Sequence, residues 1–225
     1  MTVRDVARQL PGIPVLRDRC RAMATVEAVL EPDSPYRRHG FDAGWTGTRE
    51  LAWMDNGGGD TYSVVFSSAG VYIRGFDHTS PMSPHVGDGR AWPGIFDRVP
   101  ETFRAFTRHP AFTSDGIPDV TACLWREAED GQWHTGDVDF DGSSTVPDGA
   151  DWLFGFLTDG SPERYADWAS SYYGRPVGLE AVRHVYALRP LTPAIVADLN
   201  PEASLNGLAE AIAAIGYPLG EGGDG

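Results

Sequence analysis

The chain predicts an α+β fold, with an antiparallel or mixed sheet built on two hairpins and helices packed outside. Three observations carry this. Two runs of β-branched and aromatic residues, Thr61–Phe66 and Val71–Phe76, flank a short polar turn as a hairpin does. Apolar residues recur at helical spacing from Val15 to Leu30. Ser161-Pro162-Glu163 and Thr192-Pro193 read as capped helix starts. A length of 225 residues allows one sizeable core, so we expect one domain over residues 1–219 and a disordered tail over 220–225.

Taken in order, residues 1–13 read as a weakly ordered lead-in. The helix at Val15–Leu30 presents Leu16, Cys20, Met23 and Leu30, and Pro32 and Pro35 end it. Asp33–Gly47 reads as a loop anchored by Tyr36, Phe41 and Trp45, and Arg49–Met54 as a short strand. The first hairpin turns through Ser67–Gly70, where Gly70 supplies a positive φ. Pro100 opens a short helix that turns Phe103 and Phe106 inward, while Pro110 and Pro118 mark breaks. Val120–Glu127 and Gln132–Phe140 form the second hairpin, followed by a polar loop at Gly142–Gly149. Asp151–Leu157 favours helix, Ser161 to Gly174 is a capped helix, and Val182–Leu188 reads as a strand. Helices at Thr192-Pro193 and Ser204–Ile215 complete the chain.

Charge narrows the function. There are 32 acidic residues against 18 basic ones, a net charge of −14, and every basic residue is Arg. Without lysine, Schiff-base chemistry and a P-loop phosphate clamp are excluded. The charge opposes nucleic acid and membrane surfaces and favours a basic protein partner. Residues 1–12 carry no apolar run of the signal-peptide kind, so we expect a cytoplasmic protein. Cys20 and Cys123 lie apart in apolar surroundings and read as buried, reduced thiols.

Chemistry-bearing residues gather around the first hairpin. Asp55, Asp60, Asp77, His78 and His85 come from its two ends and its exit loop, with Trp45, Trp53 and Trp92 flanking them. If the strands pair around the turn, Asp60 and Asp77 meet at the open end. Carboxylates with imidazoles suit Zn, Mn or Fe, and an open position would activate water. Lacking a recognised ligand spacing, we expect no metal or cofactor; the two aspartates cap turns and His78 bonds to backbone. Gly57–Gly59 has neither the preceding strand–helix context nor the following helix of a phosphate cradle. No G-x-S-x-G, H-E-x-x-H or C-x-x-C occurs. Asp137 and Asp139, two apart in the second hairpin, would share a solvated strand face, and His184 would alternate with Tyr186 at a core edge.

The order Asp55 to Asp60 (DNGGGD), Tyr62 to Phe66, Gly70 to Tyr72 and then Asp77-His78 resembles the central hairpin of SUKH-superfamily proteins. The likeness covers about 25 residues, and Leu10-Pro11 alone matches the family's opening. It implies an α+β binding module of the toxin-immunity type without catalytic residues. The chain is also similar to proteins of GC-rich actinobacteria, which implies no activity. We therefore expect a non-enzymatic protein-binding module for a basic toxin such as a nuclease, with Asp55, Asp60, Asp77, His78, Trp53 and Trp92 at its binding site. The alternative is a metal-assisted hydrolase or small-ligand enzyme centred on Asp60, Asp77, His78 and His85.

Overall fold

Strand-forming and helix-forming stretches come in blocks, and the computed structural model, which describes residues 1–140 and 147–220, folds them as α+β. In chain order the elements are α1 (Val3–Gln9), α2 (Ile13–Leu30), β1 (His39–Thr46), β2 (Arg49–Asp55), β3 (Thr61–Ser67) and β4 (Gly70–Phe76). Then come α3 (Glu101–Arg104), β5 (Thr113–Ser114), β6 (Ile117–Pro118), β7 (Ala122–Glu127) and β8 (His134–Thr135). Last are α4 (Ala150–Leu153), α5 (Gly155–Thr158), α6 (Pro162–Tyr173), α7 (Leu179–Tyr186), α8 (Pro193–Leu199) and α9 (Leu205–Ile215). They divide into two compact units, each made of two segments: Met1–Ile13 with Trp53–Thr158, and Pro14–Ala52 with Asp159–Gly225.

The first unit holds the hairpin. β3 and β4 pair antiparallel from Thr61↔Phe76 to Ser67↔Gly70, and β4 pairs antiparallel with β7, which in turn pairs with β8. Tyr62, Val64, Val65, Tyr72 and Ile73 are almost wholly enclosed, and each aliphatic one contributes about 1.5–3 kcal/mol by leaving water. The turn is tighter than the sequence suggests: Ser67 faces Gly70, so Ser68 and Ala69 alone span it. Gly70 has φ +129, and a Cβ there would run into the Arg126 carbonyl on β7. Helix then follows through Phe103 and Phe106, both buried, with Pro100 as the N-cap residue rather than inside the first turn.

Several expectations need correction in this unit. Residues 1–13 contain a docked helix. Thr2 and Asp5 form a capping box, Val3 and Val6 are buried, and Asp148 accepts from the Val3 N–H at 2.7 Å. The second hairpin is lopsided: β7 is six residues, while β8 is only His134–Thr135. Gly94 and Gly136 approach so closely that neither has room for a side chain, and Trp133 turns its indole N–H to the Pro11 carbonyl at 2.8 Å. Asp137 and Asp139 therefore lie beyond the strand, both exposed, and Asp137 pairs with Arg98. The helix expected over Asp151–Leu157 is present as α4 and α5. Of the polar loop expected at Gly142–Gly149, residues 142–146 lie outside the described residues.

The second unit is built on α2, whose Leu16, Cys20, Met23, Val26 and Leu30 are buried. Glu27 interrupts that apolar stripe and is itself wholly buried. Its carboxylate accepts from the Arg38 and His39 N–H groups at 2.6 and 3.0 Å and from the Tyr165 and Tyr173 hydroxyls at 2.7 Å each. The His39 ring Nδ1 lies 2.5 Å away. Burial opposes its ionisation, but the His39 charge and these hydrogen bonds outweigh burial and hold its pKa below the ordinary range.

His39 belongs to β1, so the loop expected over Asp33–Gly47 is half strand. Gly40, Asp42 and Gly44 hide the alternation in which His39 and Phe41 point inward, and Tyr36 is exposed rather than an anchor. The strand expected at Val182–Leu188 is helix α7. Its Ala181, Val182 and Val185 are buried at helical spacing, and His184 bonds to the Pro190 carbonyl. Ser161 caps α6 as expected, Thr192 and Ser204 cap α8 and α9 in the same way, and Gly174 ends α6 with φ +64. Gly220, placed by the sequence in a disordered tail, donates to the Leu191 carbonyl at 2.9 Å; residues 221–225 lie outside the described residues.

Candidate functional site

The open end of the β3–β4 hairpin is held by two loops that spend most of their polar groups on themselves. In Asp55–Asp60, Asp55 accepts from the Gly57 N–H at 2.8 Å, and Asn56 accepts from the N–H groups of Gly58 and Asp60 at 2.7 and 3.1 Å. Asn56 returns a 2.6 Å bond from its amide to the Asp60 carboxylate. Gly57 and Gly59 have φ +71 and +103, and Gly59 lies against the His78 ring. The triple glycine is thus the backbone device that closes this loop.

Asp60 faces the exit of β4. Its Oδ1 accepts the backbone N–H of His78 at 2.9 Å, and the ring Nδ1 of His78 lies 2.7 Å away. An ionised carboxylate can only accept, so Nδ1 carries the proton and Nε2 is the free ring position when His78 is neutral. Burial works against the Asp60 charge, but the side-chain and backbone bonds from His78, with that from Asn56, keep its pKa below the usual carboxylate range. Asp77 caps the next turn through Thr79, whose N–H and hydroxyl reach Oδ1 at 2.9 and 2.7 Å. Its Oδ2 takes the Trp152 indole N–H at 3.2 Å.

One ligand atom from each of Asp60, Asp77 and His78 falls within 4.8 Å of the other two, the spacing of a small metal site. Every carboxylate oxygen in that group already accepts a hydrogen bond. Asp60 Oδ1 and Asp77 Oδ1 each accept two bonds and the Oδ2 atoms one each, so these carboxylates already clamp the hairpin.

Beside the clamp opens a cleft of about 670 Å³ lined by Asp55, Phe76, His78, Ser83, His85 and Asp119, among others. His85 Nε2 lies 2.8 Å from Asp119 Oδ1, Ser114 donates to Asp119 Oδ2 at 2.8 Å, and the His85 ring stands edge-on to Phe76. The Ser83 hydroxyl is buried with no hydrogen-bond partner among the described residues. No arginine lines the cleft; Arg74 lies beneath, donating to Thr61 Oγ1 and the Asp119 carbonyl at 2.9 Å each. Burial lowers the Arg74 pKa to about 10.

Of the residues singled out from sequence, Asp55, His78 and His85 line this cleft, while Asp60 and Asp77 stand behind it. Trp53 and Trp92 are not among its lining residues, which corrects the expectation that they wall the site. The alternation of β2 turns Trp53 outward between buried Ala52 and Met54, and it is 37% exposed. Asp119, Ser114 and Ser83 went unrecognised. Asp119 sits 34 residues from its His85 partner, and an isolated aspartate before a strand carries no local signal.

Comparison with family models, with curated proteins and with solved structures finds no match to this chain.

Proposed function

We propose that the protein acts by binding, and that the cleft beside the first hairpin receives a basic side chain of a partner protein. The observation that carries this reading is the cleft's lining: Asp55 and Asp119 contribute charge there and no arginine does. Asp60 and Asp77 are committed to holding the loops, so they supply negative field rather than a reacting group. Phe76 and Val86 offer apolar wall for the stem of an arginine or lysine whose head meets the carboxylates. The net charge of −14 would steer a basic partner toward this face. A toxin neutralised by an immunity protein, the partner type implied by the hairpin resemblance, has this chemistry.

Co-expression with the product of the neighbouring gene, followed by titration calorimetry, tests it. The expected result is a complex whose association slows as salt rises and whose affinity drops roughly tenfold in Asp119→Asn. Absence of a complex, or one indifferent to both Asp55→Asn and Asp119→Asn, would sink the proposal.

A second reading has its own observation, the 4.8 Å convergence of Asp60, Asp77 and His78. In a metal-assisted hydrolase these residues would release their present partners and hold Zn or Mn, which would activate water. Elemental analysis of the purified protein separates the two: stoichiometric metal lost in Asp77→Asn favours the hydrolase.

A further inference from the structure

Four of the 18 arginines of this acidic chain meet at one place in the first unit. Arg4 and Arg8 from α1, Arg98 from the loop before α3 and Arg126 from β7 line a cleft of about 590 Å³. Asp137 is the one carboxylate residue among the described residues that line it, and it pairs with Arg98 at 2.7 Å. Charge here is therefore opposite in sign to that of the chain as a whole.

The guanidinium groups of Arg4, Arg98 and Arg126 are anchored to loop groups, while Arg8 pairs with Asp5 within α1. Arg4 donates to the Val138 carbonyl at 2.6 Å and stacks on the Phe140 ring, 5.3 Å from its centroid. Arg126 uses its Nε on the Asp130 carbonyl at 2.9 Å, and among the described residues its terminal nitrogens make no hydrogen bond or ion pair. Arg98 reaches Asp137 through Nε from a backbone at φ +65, a conformation that non-glycine residues seldom adopt. At Gly131, part of the lining, a side chain would meet open space, so a ligand can approach the backbone closely.

We propose that this cleft is a binding site for a small phosphorylated molecule carrying at least two negative charges, such as a sugar phosphate or a nucleotide. Planar guanidinium forks match phosphate oxygens in geometry and charge, and several converging on one concave site favour a multiply charged anion. Size separates this ligand from larger polyanions. Charges beyond about 8–10 Å are screened at physiological salt, so a small anion in the cleft feels mainly these arginines. An extended nucleic acid or a membrane surface would meet the rest of a chain whose net charge is −14.

The test uses the full chain and inorganic pyrophosphate, with inorganic phosphate as the weaker probe, in titration calorimetry and amide NMR. The expected result is saturable pyrophosphate binding, weakened roughly tenfold in Arg126→Gln and further in Arg98→Gln/Arg126→Gln, with Arg183→Gln, an arginine of α7 that lines neither cleft, as the unaffected control. Arg126→Lys, which keeps the charge and loses the fork, is expected to fall between wild type and Arg126→Gln. Thermal unfolding of each variant shows that the fold is retained. Failure to saturate at millimolar pyrophosphate, or binding equal in wild type and the double variant, would overturn the proposal. So would preference for vesicles bearing phosphorylated headgroups, or for a single-stranded oligonucleotide, over the soluble anion.

Discussion

Asp60 takes two hydrogen bonds from a single residue, the backbone N–H and the ring Nδ1 of His78, at 2.9 and 2.7 Å. The start of β3 is thereby tied to the exit of β4 at the end of the hairpin far from its turn. Asp60→Ala leaves those donors and the Asn56 amide without their acceptor, and we expect it to cost about 2–3 kcal/mol. Urea denaturation measures this; a loss below about 0.5 kcal/mol, typical of surface changes, would mean that the bonds are incidental.

Acid should loosen both units. Asp60 and Glu27 have folded pKa values below their unfolded ones. Their contribution is complete above the unfolded carboxylate range, about pH 4, and is lost as the pH falls through the folded values. Asp148 works the other way. Burial outweighs the bonds it accepts from Val3 and Ala150 and raises its pKa, so its charge detracts from stability as pH rises above about 4. Unfolding free energy measured across acid pH should have a positive slope that flattens in Asp60→Asn and steepens in Asp148→Asn.

The buried carboxylate of Glu27 gathers two backbone N–H groups, two tyrosine hydroxyls and one imidazole. Removing its charge while keeping its shape, in Glu27→Gln, strands the His39 side of the pair. A loss of about 3–5 kcal/mol is expected, read as a fall of roughly 10 °C in Tm by calorimetry. An unchanged Tm would show that the network is dispensable.

Gly70 accepts no side chain. Alanine there would combine an unfavourable φ of +129 with a clash on the Arg126 carbonyl. We expect Gly70→Ala to destabilise by about 2 kcal/mol or more, whereas Gly131→Ala, in open space, should leave stability within about 0.5 kcal/mol. Parallel urea titrations compare the two.

Both cysteines are free and buried, and burial pushes each thiol up to about 12. Native protein should react with a thiol-specific disulfide reagent only as fast as it opens, and in denaturant both thiols should react at once. Rapid labelling of either under native conditions would contradict the burial described.

The first hairpin was readable from sequence because its strands are β-branched and its glycine sits at the turn. The helix caps at Ser161, Thr192 and Ser204 were readable because each hydroxyl residue stands just before its helix, with proline following at two of them. β1 was hidden by its glycines. Helix α7 reads as a strand because Val182, His184 and Tyr186 alternate as well as they spiral, and only the joint burial of Val182 and Val185 decides between periods. The meeting of Asp60 and Asp77 followed from strand pairing, but Asp119 and the four arginines converge through loops and an N-terminal helix whose closure no local pattern encodes. Glu27 was a signal passed over: a carboxylate inside the sequence Val26-Glu27-Ala28-Val29 must be either exposed or paired.

The segments of the two units alternate along the chain, with the last belonging to the second unit, and this sets an order of events during synthesis. The first unit has all its residues once Thr158 has been made. Helix α2, made long before, has to wait: the Glu27–Tyr165 bond closes a separation of 138 residues. Until α6 emerges, Glu27 has its Arg38 and His39 partners but neither tyrosine hydroxyl, so the second unit is the slower to complete and the more exposed to aggregation at the ribosome.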